Sequence, residues 1–271
     1  MTKCGHYLNT VSCCSFIKMH GLGNDYVYID CFPKTTAQFI AKTDLTAVAQ
    51  RVSDRHFGIG SDGLVLILPS EKADARMRIF NADGSEAQMC GNAIRCVGKY
   101  LYESGICRKQ ELKIDTLAGV RELSLHISGD TVEQVTVNMG KPIIRPATLN
   151  IGEERINYTF VDIGNPHAVF FCDDTPQLPT DVNVEFVRVR NEQELDMRVI
   201  ERGSGETMAC GTGACAATAA AIRQGKTQRK VTVHLRGGDL TIEWPTDDMP
   251  IYMTGTATEV FRGKYRITDD E

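Results

Sequence analysis

Asn81-Ala-Asp-Gly-Ser-Glu-Ala-Gln-Met-Cys90-Gly-Asn-Ala, in the first half of the chain, returns in the second half as Glu201-Arg-Gly-Ser-Gly-Glu-Thr-Met-Ala-Cys210-Gly-Thr-Gly. In both stretches a glutamate precedes the cysteine at the same spacing (Glu86, Glu206), a glycine follows it (Gly91, Gly211), and a small polar residue comes next (Asn92, Thr212). A cysteine site present twice predicts two thiols meeting across a pseudo-symmetric cleft. Stereochemical inversion at a carbon requires such a pair, one group on each face.

The flanking sequence repeats as well. Phe16–Met19 and Tyr26–Ile29 read as strands around the polar turn His20-Gly-Leu-Gly-Asn24-Asp. In the second half, strand-like sequence runs either side of Gly164-Asn165-Pro-His167. Gly and Asn tolerate the left-handed conformations such turns need. Each cysteine then opens a helix, Cys90–Tyr102 and Cys210–Arg223, stopped by Gly105 and Gly225. Asp44 is expected to cap a helix over Thr43–Arg55, and the segments after each long helix alternate as strands. Leu64–Leu68 and Ala75–Phe80 are expected strands before the first cysteine, and Thr254–Phe261 a single closing strand. The expected class is α+β: two similar lobes, each a mostly antiparallel sheet curled around one helix. Residues 16–130, completed by 262–271, would form the first lobe and 131–261 the second, with residues 1–15 an extension of no assigned role.

Composition excludes several classes. The net charge of −5 gives no broad basic surface for nucleic acid or an anionic membrane. No apolar run approaches the roughly 20 residues of a membrane helix, and the first fifteen residues lack the apolar core of a signal peptide. Ten cysteines in 271 residues are too sparse and too irregular for a disulfide scaffold. With no C-x-x-C, neither a zinc knuckle nor a thioredoxin motif is present. Free thiols in a reducing cytosol are expected, with no metal. Gly58-Ile-Gly60-Ser-Asp-Gly63 has dinucleotide-motif spacing, but a strand follows it where the motif needs a helix, so it reads as a tight turn beside a pocket.

A lone cysteine is usually core packing, as expected of Cys96 and Cys215. Cys90 and Cys210 differ because each sits where a helix begins. Free N–H groups and the helix dipole there favour a thiolate or hold a carboxylate. His167 is a candidate for tuning a thiol, and Glu201-Arg202 would meet an ammonium and a carboxylate.

The two cysteine phrases, with Met19-His-Gly-Leu-Gly-Asn24-Asp, Arg55-His-Phe-Gly-Ile-Gly and Gly164-Asn165-Pro-His167, resemble the diaminopimelate epimerase family from about residue 16 onward. The resemblance implies an isomerase, independent of pyridoxal phosphate and of any other cofactor, that interconverts LL- and meso-diaminopimelate for lysine and cell-wall synthesis. It implies Cys90 and Cys210 as the acid–base pair. Gly91, Asn92, Gly211 and Thr212 would hold the reacting carboxylate and Glu201 the amino group, while Asn24, Asn81, Asn165, Asn183 and Arg202 would line the pocket. One departure stands out: Gly63 occupies a place where the family commonly has a substrate-contacting Gln, so relaxed specificity toward a shorter amino acid such as glutamate is expected. A proline-racemase-like activity and a thiol-redox enzyme are the alternatives. The expected partner is a small amino acid; a homodimer is left open.

Overall fold

The computed structural model describes residues 12–151, 154–172, 182–203 and 205–267. In chain order the first half forms β1 (Ser12–Gly21), β2 (Asn24–Asp30), α1 (Lys34–Ile40), α2 (Leu45–Ser53), β3 (Gly63–Leu68), β4 (Ala75–Asn81), β5 (Glu86–Ala87), α3 (Gly91–Glu103), β6 (Glu111–Thr116), β7 (Gly119–Ser128) and β8 (Thr131–Gly140). The second half forms β9 (Ile143–Ile151), β10 (Glu154–Asp162), β11 (Pro166–Phe170), β12 (Asn183–Asn191), β13 (Glu194–Glu201), β14 (Gly205–Glu206), α4 (Gly211–Arg223), β15 (Lys230–Leu235), β16 (Gly238–Glu243), β17 (Ile251–Gly255) and β18 (Thr258–Ile267).

The duplication read from sequence is written in the strand pairing. In the first half, neighbours run β18-β1-β2-β3-β4-β6-β7-β8, with β2–β3 and β4–β6 parallel and the rest antiparallel. In the second half they run β9-β10-β11-β12-β13-β15-β16-β17, with β11–β12 and β13–β15 parallel. The two orders are the same, and β8 joins them by pairing antiparallel with β17. Two reciprocal crossovers complete the symmetry: β8 leads into β9 of the other set, and β17 leads into β18, which returns to β1. Thr254–Phe261 is therefore two strands and not one, because the break at Thr256-Ala257 carries the chain between the sets. Ser12–Ser15, expected to lie in an extension, belong to β1 and pair with β18; residues 1–11 lie outside the described part.

Each long helix is wrapped by its strands. On α3 every residue from Gly91 to Leu101 is buried; α4 buries Ala214, Ala216, Ala217 and Ala219–Ala221 completely, so its small side chains let the strands pack close to the helix. β3 is covered on both faces, Val65 and Ile67 toward α3 and Leu64 and Leu66 toward α2, which is why it reads as an unbroken apolar run. Asp44 caps α2 as expected, accepting from the N–H groups of Thr46 and Ala47.

Candidate active site

The symmetry fixes which residues correspond. Tyr26 stands opposite Gly63, which stands opposite Asn81. In the second half His167 stands opposite Asn183, and the β12–β13 register carries on to Glu201. The β1–β2 turn is made by Leu22 (φ 57°) and Gly23 (φ 84°), a two-residue hairpin turn with both residues left-handed. Burial of Leu22 offsets a conformation costly for leucine. The turn delivers Asn24 at the first residue of β2, as Gly164 (φ 100°) delivers Asn165 before β11.

The paired glutamates of the two phrases hold the approach to each cysteine. Glu86 accepts both guanidinium bonds of Arg78 (2.7 and 2.9 Å), and Glu206 those of Arg198 (3.1 and 3.2 Å). In each case an arginine on a strand pins the short return strand that leads to the helix. Cys90 and Cys210 then occupy the N-cap positions of α3 and α4, both with extended backbone. Cys210 is buried and its sulfur accepts from the Gly213 N–H at 3.4 Å, with the Thr212 hydroxyl also at 3.4 Å. Cys90, half-buried, donates to Asn24 Oδ1 at 3.4 Å.

One side chain joins the two sites. The Asn92 amide donates to Asn24 Oδ1 (3.3 Å), beside Cys90, and across to the carbonyl of Ala209 (3.1 Å), the residue before Cys210. Met253 lies against both helix starts: a Cβ on Gly91 would come 2.9 Å from its Cε, and one on Gly211 2.8 Å from its Sδ. Glycine at both positions lets the Met253 side chain lie against the two helix starts.

Glu201 accepts from the Thr207 hydroxyl at 2.5 Å, and burial raises its pKa. Asn183 accepts from the Arg202 N–H at 2.9 Å, and the Arg202 side chain is exposed. Asn165 donates to Thr212 Oγ1 at 3.4 Å, while Asn81 is turned into its own loop, donating to Ser85 Oγ at 3.0 Å. His167 is fully buried, with Nδ1 2.6 Å from Glu185 Oε1. Glu185 was not legible as a functional residue, although a glutamate within Val184-Glu-Phe-Val breaks an apolar strand. Asp62 was missed too: it accepts from Asn24 Nδ2 (2.8 Å) and the Asp25 N–H (3.0 Å), and Arg55 bridges both carboxylates.

Two expectations are corrected. The thiols are not depressed toward thiolate in the free protein. Burial raises Cys90, against the opposing pull of the Ala93 and Asn92 N–H groups, and raises Cys210 well above its ordinary value. The charge of Glu201 adds to the rise at both. The helix ends act in the expected direction, but desolvation outweighs them. Gly63, in turn, leaves no vacated space. A Cβ there would fall on the Phe80 carbonyl oxygen and within 2.9 Å of the Tyr26 ring, so Gly63 opens no space for a different substrate. Cys96 and Cys215 are core, as expected.

The family model described as diaminopimelate epimerase matches residues 16–144 and 174–260. The chain is 45% identical to the diaminopimelate epimerase of Acetivibrio thermocellus, over 94% of this chain and 99% of that one. It is 47% identical to the diaminopimelate epimerase of Methanococcus maripaludis, over 93% and 99%. Among solved structures it shares its fold with a Bacillus anthracis phenazine biosynthesis protein of the PhzF family (TM-score 0.73, 17% identity, 94% and 100% covered). The fold is shared too with a hydroxyproline epimerase of Agrobacterium vitis (TM-score 0.70, 15% identity, 97% and 95% covered).

Proposed function

The chain belongs to the diaminopimelate epimerase family, and from that premise we propose that it interconverts LL- and meso-diaminopimelate with Cys90 and Cys210 as the two bases. It is an isomerase acting on a small amino acid. The observation that carries the residue assignment is the Asn92 bridge, which ties the surroundings of one thiol to the residue before the other.

The reaction exchanges a weakly acidic α-hydrogen, and no cofactor is invoked to delocalise the resulting charge. The N–H groups at the starts of α3 and α4, with Asn92 and Thr212, hold the α-carboxylate. Glu201 receives the α-ammonium. That pairing removes the negative charge bearing on both sulfurs, so substrate itself brings a thiol within reach of ionisation. One cysteine, as thiolate, takes the α-hydrogen; the other, as thiol, delivers a proton to the opposite face, and the roles exchange in the reverse direction. Asn24, Asn81, Asn165, Asn183 and Arg202 surround the remainder of the substrate, and His167, held by Glu185, sets the electrostatics around Cys210. We take the two strand sets as the lobes, dividing near residues 140 and 257 rather than 130 and 261, and their closure as the step that excludes water. A reducing cytosol suits two such thiols.

Incubation of reduced protein with LL-diaminopimelate in D₂O, without pyridoxal phosphate, tests the reading. Deuterium entering the α-position together with meso product is expected. No exchange with both thiols free would overturn it.

A further inference from the structure

Arg95, one turn into α3, is fully buried, and among the described residues its bonds go to no carboxylate. Nε donates to the Thr256 carbonyl (3.1 Å), and Nη1 to the Gly91 carbonyl (3.3 Å) and the Met253 sulfur (3.6 Å). Nη2 has no partner among the described residues. The slot is built for the guanidinium. A Cβ on Gly21 would stand 2.8 Å from Nη2, and one on Gly255 3.2 Å from Cζ, so two glycines, at the ends of β1 and β17, sandwich the cation. A buried cation is ordinarily paired; this one rests on neutral acceptors at the seam between the two strand sets.

Its contact with Gly91 indicates its purpose. The Gly91 carbonyl and the Asn92 N–H belong to one peptide group, the first of α3 after the Cys90 N-cap, and the Ala93 and Asn92 N–H groups there pull the Cys90 pKa down against its burial. A cation on the carbonyl side polarises the peptide and strengthens the N–H as a donor. We propose that Arg95 is a positioning residue that serves as the fixed counter-charge of the cleft, acting through the Gly91–Asn92 peptide to favour an anion at Cys90. It also orients that peptide toward an incoming carboxylate. Met253, bound to the same nitrogen and packed on Gly91 and Gly211, extends this control to both helix starts.

The inference rests on Cys90 being an acid–base group, but its test reads thiol ionisation and is independent of turnover. The pH dependence of Cys90 alkylation by iodoacetamide, resolved by peptide mass spectrometry, is compared for wild type, Arg95→Gln and Arg95→Lys. Loss of the charge is expected to raise the midpoint by about one pH unit, a tenfold loss of thiolate at fixed pH, and Arg95→Lys to stay within about 0.3 unit of wild type. A folded Arg95→Gln protein with an unshifted midpoint overturns the proposal, as does an Arg95→Lys midpoint raised as far as that of Arg95→Gln. If Arg95→Gln does not fold, Arg95→Lys decides alone: a retained midpoint upholds the charge, and a rise of a full unit overturns it.

Discussion

Asp62 fixes which way Asn24 faces: by accepting from Asn24 Nδ2 at 2.8 Å, it turns the amide oxygen toward the Cys90 thiol, 3.4 Å away. The same oxygen receives Asn92, so an error in one amide would propagate to the bridge between the sites. Asp62→Asn replaces one acceptor with a donor and frees the Asn24 amide to reverse. A lost charged hydrogen bond of about 1.5–3 kcal/mol predicts a fall in kcat/KM of about ten- to a hundredfold. Steady-state kinetics on Asp62→Asn, with circular dichroism to confirm folding, checks it; a change under twofold would mean that Asn24 is oriented by other contacts.

Glu201 sets a second, less intuitive outcome. Burial is the largest cause of the raised Cys210 pKa, the charge of Glu201 the next, and Glu201 also raises Cys90. Removing that charge in Glu201→Gln should lower both thiol pKa values, so the free protein is alkylated at lower pH. Turnover should nonetheless fall at least about tenfold, because the ammonium loses its partner. Alkylation midpoints unchanged or raised in the variant would detach Glu201 from the thiols.

The duplicated architecture was legible because the repeated residues have duplicated jobs. Glu86 and Glu206, Gly91 and Gly211, Gly23-Asn24 and Gly164-Asn165 hold corresponding places, so a repeat visible in sequence is a repeat in space. What was missed lacks a local signal. β9 contains Pro146, which argues against a strand until β9 proves to be the edge of its set, where a missing N–H costs least. Arg95 looks like an ordinary charge in an amphipathic helix, Glu185 interrupts an apolar strand with no motif around it, and only tertiary packing buries both completely. The sign of the thiol shifts was likewise out of reach, since helix-start position is local while desolvation depends on the whole cleft.

Gly63 gives a prediction opposite in sense to the one its sequence context suggests. Because a side chain there meets the Phe80 carbonyl and the Tyr26 ring, Gly63→Gln should not sharpen specificity but destabilise the β2–β3–β4 region by about 1–3 kcal/mol. Urea unfolding checks this. A variant as stable as wild type, with improved discrimination against glutamate, would restore the specificity reading.

Buried thiols also set the alkaline limit of the fold. Cys14 and Cys96 are pushed up to about 11, and Cys31 and Cys215 to about 12, from an ordinary 9.0. Between pH 9 and these values the unfolded chain releases protons that the folded protein keeps, so stability is full below pH 9 and falls as pH rises toward 11–12. The Tm of reduced protein should drop by at least about 5 °C between pH 8.5 and 10.5. A Tm that stays flat across this interval would mean that the thiols are solvated in the folded state.

The two cysteines are not equivalent, and single substitutions should reveal it. Cys210 is buried, hydrogen-bonded by Gly213 and Thr212, and faces Glu185 as well as Glu201; Cys90 is half-buried and donates to Asn24. Cys90→Ala and Cys210→Ala should each lower epimerisation about 10²–10⁴-fold, the usual scale for losing an acid–base group. In each variant one sulfur remains, able to exchange only the α-hydrogen that faces it. Solvent deuterium should therefore wash into one isomer in one variant and into the opposite isomer in the other, without inversion. Washout into the same isomer in both variants, or near-normal epimerisation by either, would remove the two-base arrangement.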